Sequence, residues 1–229
     1  TAVDRAETEQ NLAYLINADA PHAISQVLKR IGGQMLHIST DFVFNGHKNE
    51  PYLPSSPRDP LSIYGSSKAA GEDAVLQNLG VERSIILRTS WIYGSHGNNF
   101  MLTMLRLHKE RQKISVVDDQ IGCPTTANSL AECCWSLIEK KLFGIHHWTN
   151  AGVATWYDFA VAIGDLSRQY NILNTPAQIL PIRTEQYPTP AKRPKYSVLD
   201  CRNTRKMLDF SPVHWRCELE NIIRAMSAR

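Results

Sequence analysis

Apolar positions recur along this chain in two rhythms, and the rhythms alternate. From Arg5 to Ile31 the positions Leu12, Leu15, Ile16, Ile24, Val27, Leu28 and Ile31 mostly follow helical spacing, which predicts one long amphipathic helix bent near Pro21. Gly32-Gly33 closes that helix, and Gln34 to Ser39 then reads as a short strand running into polar residues. The Pro-, Asn- and Ser-rich stretch from Asn45 to Asp59 predicts a surface loop. After Pro60, Tyr64 to Leu79 reads as a helix stopped by Gly80, and Ser84 to Thr89 as a strand apolar enough to be covered on both faces. Helix then strand, twice, predicts an α/β protein built on a doubly wound parallel sheet.

The alternation continues with helices over residues 100–111, 126–140 and 155–170 and strands over 114–117 and 144–148, Thr155 being the expected N-cap of the third helix. The proline-rich segment from Pro176 to Pro194 predicts irregular chain over a surface or cleft, and short helices near 203–208 and 215–226 close the sequence. Met101, Met104 and Leu105 are expected helix core.

Composition narrows the class of protein. The 229 residues are 43% hydrophobic and 21% charged, which suits a folded core and excludes disorder, collagen and coiled coil. Subtracting 22 acidic from 25 basic side chains gives +3, and neither sign forms a long run, so nucleic acid is not an expected partner. No apolar stretch approaches the ~18–20 residues of a membrane helix, so neither is a membrane, and a soluble, cytoplasmic protein is expected. The 5 cysteines lack C-x-x-C spacing, and Cys133-Cys134 are adjacent, which predicts reduced thiols over disulfides or zinc.

The chemistry concentrates between Ile38 and Tyr93. Three segments stand at positions that a parallel sheet brings to one edge: I-S-T-D-F-V-F-N-G, Y-G-S-S-K, and L-R-T-S-W-I-Y-G. Tyr64 and Lys68 are four apart and share a helix face. An ammonium about 5 Å from the phenol, at an effective dielectric of ~20, favours the phenolate by ~3 kcal/mol before screening. Thr40, at the strand end, is placed to share a hydrogen bond with the same substrate oxygen. Together these three suit delivery of a proton to a carbonyl while a cofactor delivers hydride. His146-His147 does not suggest a metal, because neighbours on a strand point to opposite faces. Asp118-Asp119 reads as a solvated turn, and without further context Trp91 reads as core.

The order of strand, S-T-D, loop, Y-x-x-x-K helix and R-T-S-W strand resembles the extended short-chain dehydrogenase/reductase family. Further motifs, G-N-N-F at 97–100, D-D-Q-I-G-C-P-T at 118–125, T-W-Y-D-F at 155–159 and Y-P-T-P-A-K-R-P at 187–194, resemble the branch that reduces nucleotide-linked 4-keto sugars. The resemblance implies a Rossmann-type domain over residues 1–93 and a smaller, mainly substrate-binding part over 94–229, with 114–148 returning to the sheet. It implies NADPH or NADH as cofactor and a dTDP-linked 4-keto-6-deoxy sugar as substrate, and it allows a homodimer. Tyr64 would donate the proton, Lys68 would lower its pKa and hold the nicotinamide ribose, and Thr40 would be the catalytic hydroxyl. Thr1 would lie near the cofactor. Thr40, Asp41, Trp91, Asn99, Gln120 and Arg193 would face the substrate, Arg193 as the diphosphate ligand because a guanidinium fork matches phosphate oxygens. A silent regulatory relative, or an epimerase or dehydratase using the same Tyr and Lys, would share much of this pattern.

No G-x-x-G-x-x-G run occurs in the sequence. That turn ordinarily grips the dinucleotide pyrophosphate. The expectation is therefore a doubly wound sheet that is N-terminally incomplete, with on the order of sixty residues lying upstream in two β-α units. Such a chain would bind NAD(P)H poorly, and turn over little, by itself.

Overall fold

The computed structural model describes residues 2–228. The helix expected over residues 5–31 is divided into α1 (Val3–Thr8), α2 (Gln10–Tyr14) and α3 (Ala20–Arg30), with one π turn at Leu15–Asp19 between the last two. Pro21 sits in the first turn of α3, where a missing N–H costs nothing, so the irregularity lies ahead of the proline and not at it. The π turn lets the Asn17 carbonyl press against Gly71, where a Cβ would stand 2.0 Å from that oxygen.

The chain then forms β1 (Met35–Thr40), a 3₁₀ turn at Asp41–Val43, α4 (Ile63–Leu79) and β2 (Ser84–Thr89). Ser62 caps α4 by accepting from the Gly65 amide at 3.2 Å, and Gly80 ends it at φ +70°, a conformation L-residues avoid. Next come β3 (Ile92–Tyr93), α5 (Phe100–Glu110), β4 (Lys113–Val117), β5 (Ile121–Gly122), β6 (Thr125–Thr126), α6 (Ala127–Glu139) and β7 (Gly144–His147). The remaining elements are β8 (Ala154–Thr155), α7 (Trp156–Gln169), β9 (Gln178–Ile182), α8 (Arg202–Leu208) and α9 (Trp215–Ser227).

Two units of this α/β chain are distinguishable. The first comprises Thr1–Ser90, Ala131–Trp148 and Thr189–Phe210. It holds the sheet β1-β2-β7, in which both pairings are parallel and Thr40 stands opposite Thr89. Every residue of β2 is buried, the apolar centre Ile85–Leu87 as expected of a strand covered on both faces and Arg88 with it. Because the strands are parallel, their C-terminal ends line one edge, and Thr40 is at that edge.

The second unit comprises Trp91–Leu130, Thr149–Pro188 and Ser211–Arg229. Its core joins Met101, Met104 and Leu105 of α5 to Phe159 and Ile163 of α7 and to Leu219 and Ile223 of α9. Thr155 caps α7 within a full capping box with Asp158. Within the stretch 114–148, only β7 is hydrogen-bonded to the three-stranded sheet; β4 pairs in parallel with β9 in the second unit. The segment expected to be irregular between Pro176 and Pro194 thus contains a strand. Pro181 is tolerated there because a two-stranded ladder leaves each strand one free edge for the missing N–H.

Among the described residues no helix is long and apolar enough to cross a membrane. All five cysteines are free thiols.

Candidate functional site

The strand-to-turn junction after β1 supplies the first part of the site. Thr40 donates to Asp41 Oδ1 at 3.1 Å and accepts from the Phe42 amide at 3.2 Å, capping the 3₁₀ turn. Asp41 is buried, its Oδ2 has no hydrogen-bond partner, and burial pushes its pKa up to about 6 against the pull of the Ser197 and Thr40 hydroxyls. α4 carries Tyr64 in its first turn, half-buried, with the Phe42 ring edge-on at 5.7 Å. Tyr64 opens on a cleft of about 160 Å³ whose walls include Ala2, Ala6, Leu12, Ala13 and Asn17, with Arg5 and Glu9 as its charged groups.

Tyr64 behaves differently from the expectation. Burial holds the phenol above its ordinary pKa; the Thr40 hydroxyl opposes this, and the Asp41 charge reinforces it. Lys68 is not among the groups acting on it: its ammonium donates to the Ile38 carbonyl at 2.6 Å, and burial lowers its own pKa while Glu72 raises it. The physical reason is that a backbone carbonyl at the end of β1 is a nearer partner for the ammonium than the phenol four residues back. At neutral pH Tyr64 is therefore a protonated phenol beside a hydroxyl, which is the starting state a proton donor needs.

Glu72, one turn beyond Lys68, went unnoticed in the sequence and is fully buried, with four hydrogen bonds to its carboxylate. Its Oε1 accepts from Ser39 Oγ at 2.5 Å and from Arg88 Nε at 2.9 Å, and its Oε2 from Arg88 Nη2 at 2.7 Å and Arg58 Nη1 at 3.1 Å. Burial opposes ionisation of Glu72, yet the Arg88 hydrogen bonds and charge keep its pKa below the ordinary carboxylate range. One signal could have found this pair. Arg88 interrupts the apolar run of β2, and a cation inside a covered strand demands a buried anion.

Arg193 also lies in the first unit, but its fork is engaged: it holds Asp4 at 3.1 and 2.7 Å and donates to Thr189 Oγ1 and to the Ala191 carbonyl. Any diphosphate would compete with that carboxylate. His146 and His147 face different partners, the Leu142 and Tyr52 carbonyls. Thr1 lies outside the described residues.

The second unit gathers a different group. Trp91 takes a left-handed backbone (φ 48°) and stacks on Trp156 with 3.6 Å between ring centroids at 8°. Such a conformation in a bulky residue stores strain, and strain of this kind clusters at ligand sites. Gly122 must be glycine, since a Cβ would come within 2.7 Å of the Trp91 indole. Gln120 is buried, accepting from Trp156 Nε1 at 3.2 Å and donating to Thr184 Oγ1 at 3.1 Å, so it steadies the aromatic pair. Asn99 instead caps α5: its Oδ1 accepts from the Leu102 amide at 3.1 Å and its Nδ2 donates to the Gly94 carbonyl at 2.9 Å. Asp118-Asp119 is a bonded turn, with Asp119 accepting from Thr184 and Asp118 from Arg183.

Residues 1–228 match the family described as RmlD substrate binding domain. A spore coat polysaccharide biosynthesis protein, SpsK, of Bacillus subtilis is 41% identical over 100% of this chain and 77% of its own length. The dTDP-4-dehydrorhamnose reductase of Salmonella typhimurium is 38% identical over 99% of this chain and 77% of its own length. A crystal structure of dTDP-4-dehydrorhamnose reductase from Bacillus anthracis in complex with NADP superposes with a TM-score of 0.88 at 40% identity, covering 97% of this chain and 76% of that one.

Proposed function

This chain belongs to the RmlD substrate binding domain family, and from that premise we propose that it serves in reduction of the C4 carbonyl of a dTDP-linked 4-keto-6-deoxy sugar, with Tyr64 as proton donor. The observation that carries the assignment of Tyr64 is its placement: a phenol in the first turn of α4, kept protonated by burial and open to a cleft. NADPH or NADH, when bound, supplies the hydride. The residues fit the reactive end of such a cofactor, because the cleft on Tyr64 joins apolar walls of Ala2, Ala6, Leu12, Ala13 and Ile16, against which a flat ring can lie, to the polar Asn17, Arg5 and Glu9. Tyr64 and Lys68 are the residues that would hold that end.

As a carbonyl oxygen gains negative charge, the Tyr64 hydroxyl gives it a proton and the Thr40 hydroxyl steadies it. Lys68, one helical turn on, would steady the phenolate left behind by leaving the Ile38 carbonyl for it. Trp91, backed by Trp156 and Gln120, offers an aromatic face to a sugar ring. Arg193 is the diphosphate ligand, released from Asp4 when the stronger anion arrives.

Tyr64→Phe in the intact reductase tests the reading. Turnover should fall by about 10²–10⁴-fold, the usual share of general acid catalysis, with NADPH affinity within about twofold of the parent. Unchanged turnover would overturn the role given to Tyr64.

A further inference from the structure

The first half of α4 carries the proposed chemistry yet has little apolar anchorage: its fully buried positions there are Gly65, Ser67, Gly71 and Glu72, with the small, partly buried Ala69 packed on the Val43–Phe44 cluster, and the larger Val75 and Leu79 pack only beyond them. Apolar contact is non-directional and would leave such a helix free to slide along the sheet. Glu72 removes that freedom. All four of its acceptor positions are filled, by Ser39 of β1, by both nitrogens of the Arg88 fork on β2, and by Arg58. Glu72 and Arg88 are almost wholly excluded from water, at 0% and 2% exposure. Ser39 immediately precedes Thr40, and Glu72 follows Lys68 by one helical turn.

We propose that the Ser39–Glu72–Arg88 cluster is a positioning clamp for catalysis, setting the separation between the Tyr64 phenol on α4 and the Thr40 hydroxyl at the end of β1. The inference rests on the roles proposed above for Tyr64 and Thr40. A bidentate, charge-assisted grip is directional, so it fixes α4 against β1 and β2 within hydrogen-bond tolerance. Rate is steeply sensitive to such placement, with about 1 Å of error costing about 10²-fold. A hydrophobic pair of equal volume could hold the fold as firmly but not the register.

Glu72→Gln is the obvious variant, but it leaves Arg88 buried without its anion and is prone not to fold. Ser39→Ala is milder, because it removes one bond of the clamp and leaves the ion pair intact. In the intact reductase Ser39→Ala should lower kcat about fivefold with KM for both substrates within about twofold, the signature of an interaction that matters only in the transition state. In a Thr40→Val background the same change should lower the residual kcat by less than about 1.5-fold, because the group being positioned is gone. An unchanged kcat in Ser39→Ala, a rise in KM in place of the fall in kcat, or an equal fall in both backgrounds would overturn the clamp. Failure of the underlying reading looks different: Tyr64→Phe would then retain turnover. If Tyr64→Phe is inactive and Ser39→Ala is neutral, only the clamp is lost.

Discussion

Both units of this chain have apolar clusters, Val43, Phe44, Tyr52 and Leu199 among them in the first, but the first also buries an Arg–Glu ion pair. In the first, the largest fully buried side chain is Arg88, and around it lie Glu72, Ser39 and His147. In the second, the buried interior is Phe159, Ile163, Leu219, Ile223, Met101 and Tyr93, with stacked or edge-on aromatic pairs such as Phe100–Phe159 and Tyr93–Phe159. Polar burial is expensive unless every partner is present, but it is directional. Aromatic burial removes a large apolar area from water per residue and has no polar partner that must be matched. The unit carrying the proposed proton donor is the polar one, which suits a site whose geometry must be reproduced. The other carries the stacked Trp91–Trp156 pair proposed above as the face for the sugar.

The largest test of this contrast is to take one partner from the polar unit. Glu72→Ala leaves Arg88 buried and uncompensated and should cost about 3–5 kcal/mol of stability, read from urea unfolding followed by circular dichroism. A loss under about 1 kcal/mol would mean the cluster is solvated and the contrast false.

A smaller effect follows from the buried histidines. His37 is buried on β1, its Nε2 has no hydrogen-bond partner, and burial, aided by the Lys68 charge and opposed by Glu72, lowers its pKa to about 4. His147 is lowered in the same direction, chiefly by burial. A base with a depressed folded pKa lets the unfolded chain take up the proton first, so stability is complete above about pH 6.5 and falls as pH drops toward 4. Asp41 acts oppositely: at about 6 its folded carboxyl takes up a proton before the unfolded one, so between about 6 and its ordinary 3.8 falling pH favours the fold. Between pH 7 and 5 His37 should contribute about 2 kcal/mol of loss, and His37→Gln should flatten the urea midpoint against pH. A slope unchanged by that variant would exclude His37 as its source.

Much of this was legible in the sequence because period and punctuation are local. Ser84–Thr89 is a strand where its apolar run places it, and Thr155 caps α7 as its position before an apolar period suggests. What was not legible was set by distant partners. Arg193 pairs with Asp4 across 189 positions, so a fork that suits diphosphate shows nothing of its resident carboxylate. Lys68 spends its charge on the Ile38 carbonyl, a backbone atom that spacing does not reveal. Asn99 reads as a ligand in its motif, yet its side chain is consumed by the turn it opens. Pro181 masked β9, since proline argues against a strand unless the free edge is known.

The smallest expected effect sharpens the contrast from the other side. Tyr93 is buried in the second unit, and its hydroxyl reaches only the Trp215 carbonyl, at 3.5 Å, the outer limit of a hydrogen bond. Burial raises its pKa, so the phenol stays neutral and its oxygen carries little electrostatic work. Removing a weakly bonded hydroxyl sacrifices little and relieves the cost of burying it, so Tyr93→Phe should change stability by less than about 0.5 kcal/mol in either direction. Ser39, whose hydroxyl meets the charged Glu72 at 2.5 Å, stands at the other extreme. A charge-assisted bond of that kind contributes about 1.5–3 kcal/mol, so the same urea experiment should separate the two hydroxyls clearly. If Tyr93→Phe cost as much as Ser39→Ala, directionality would be shared between the units, and the location of the proton donor in the polar one would need another physical cause.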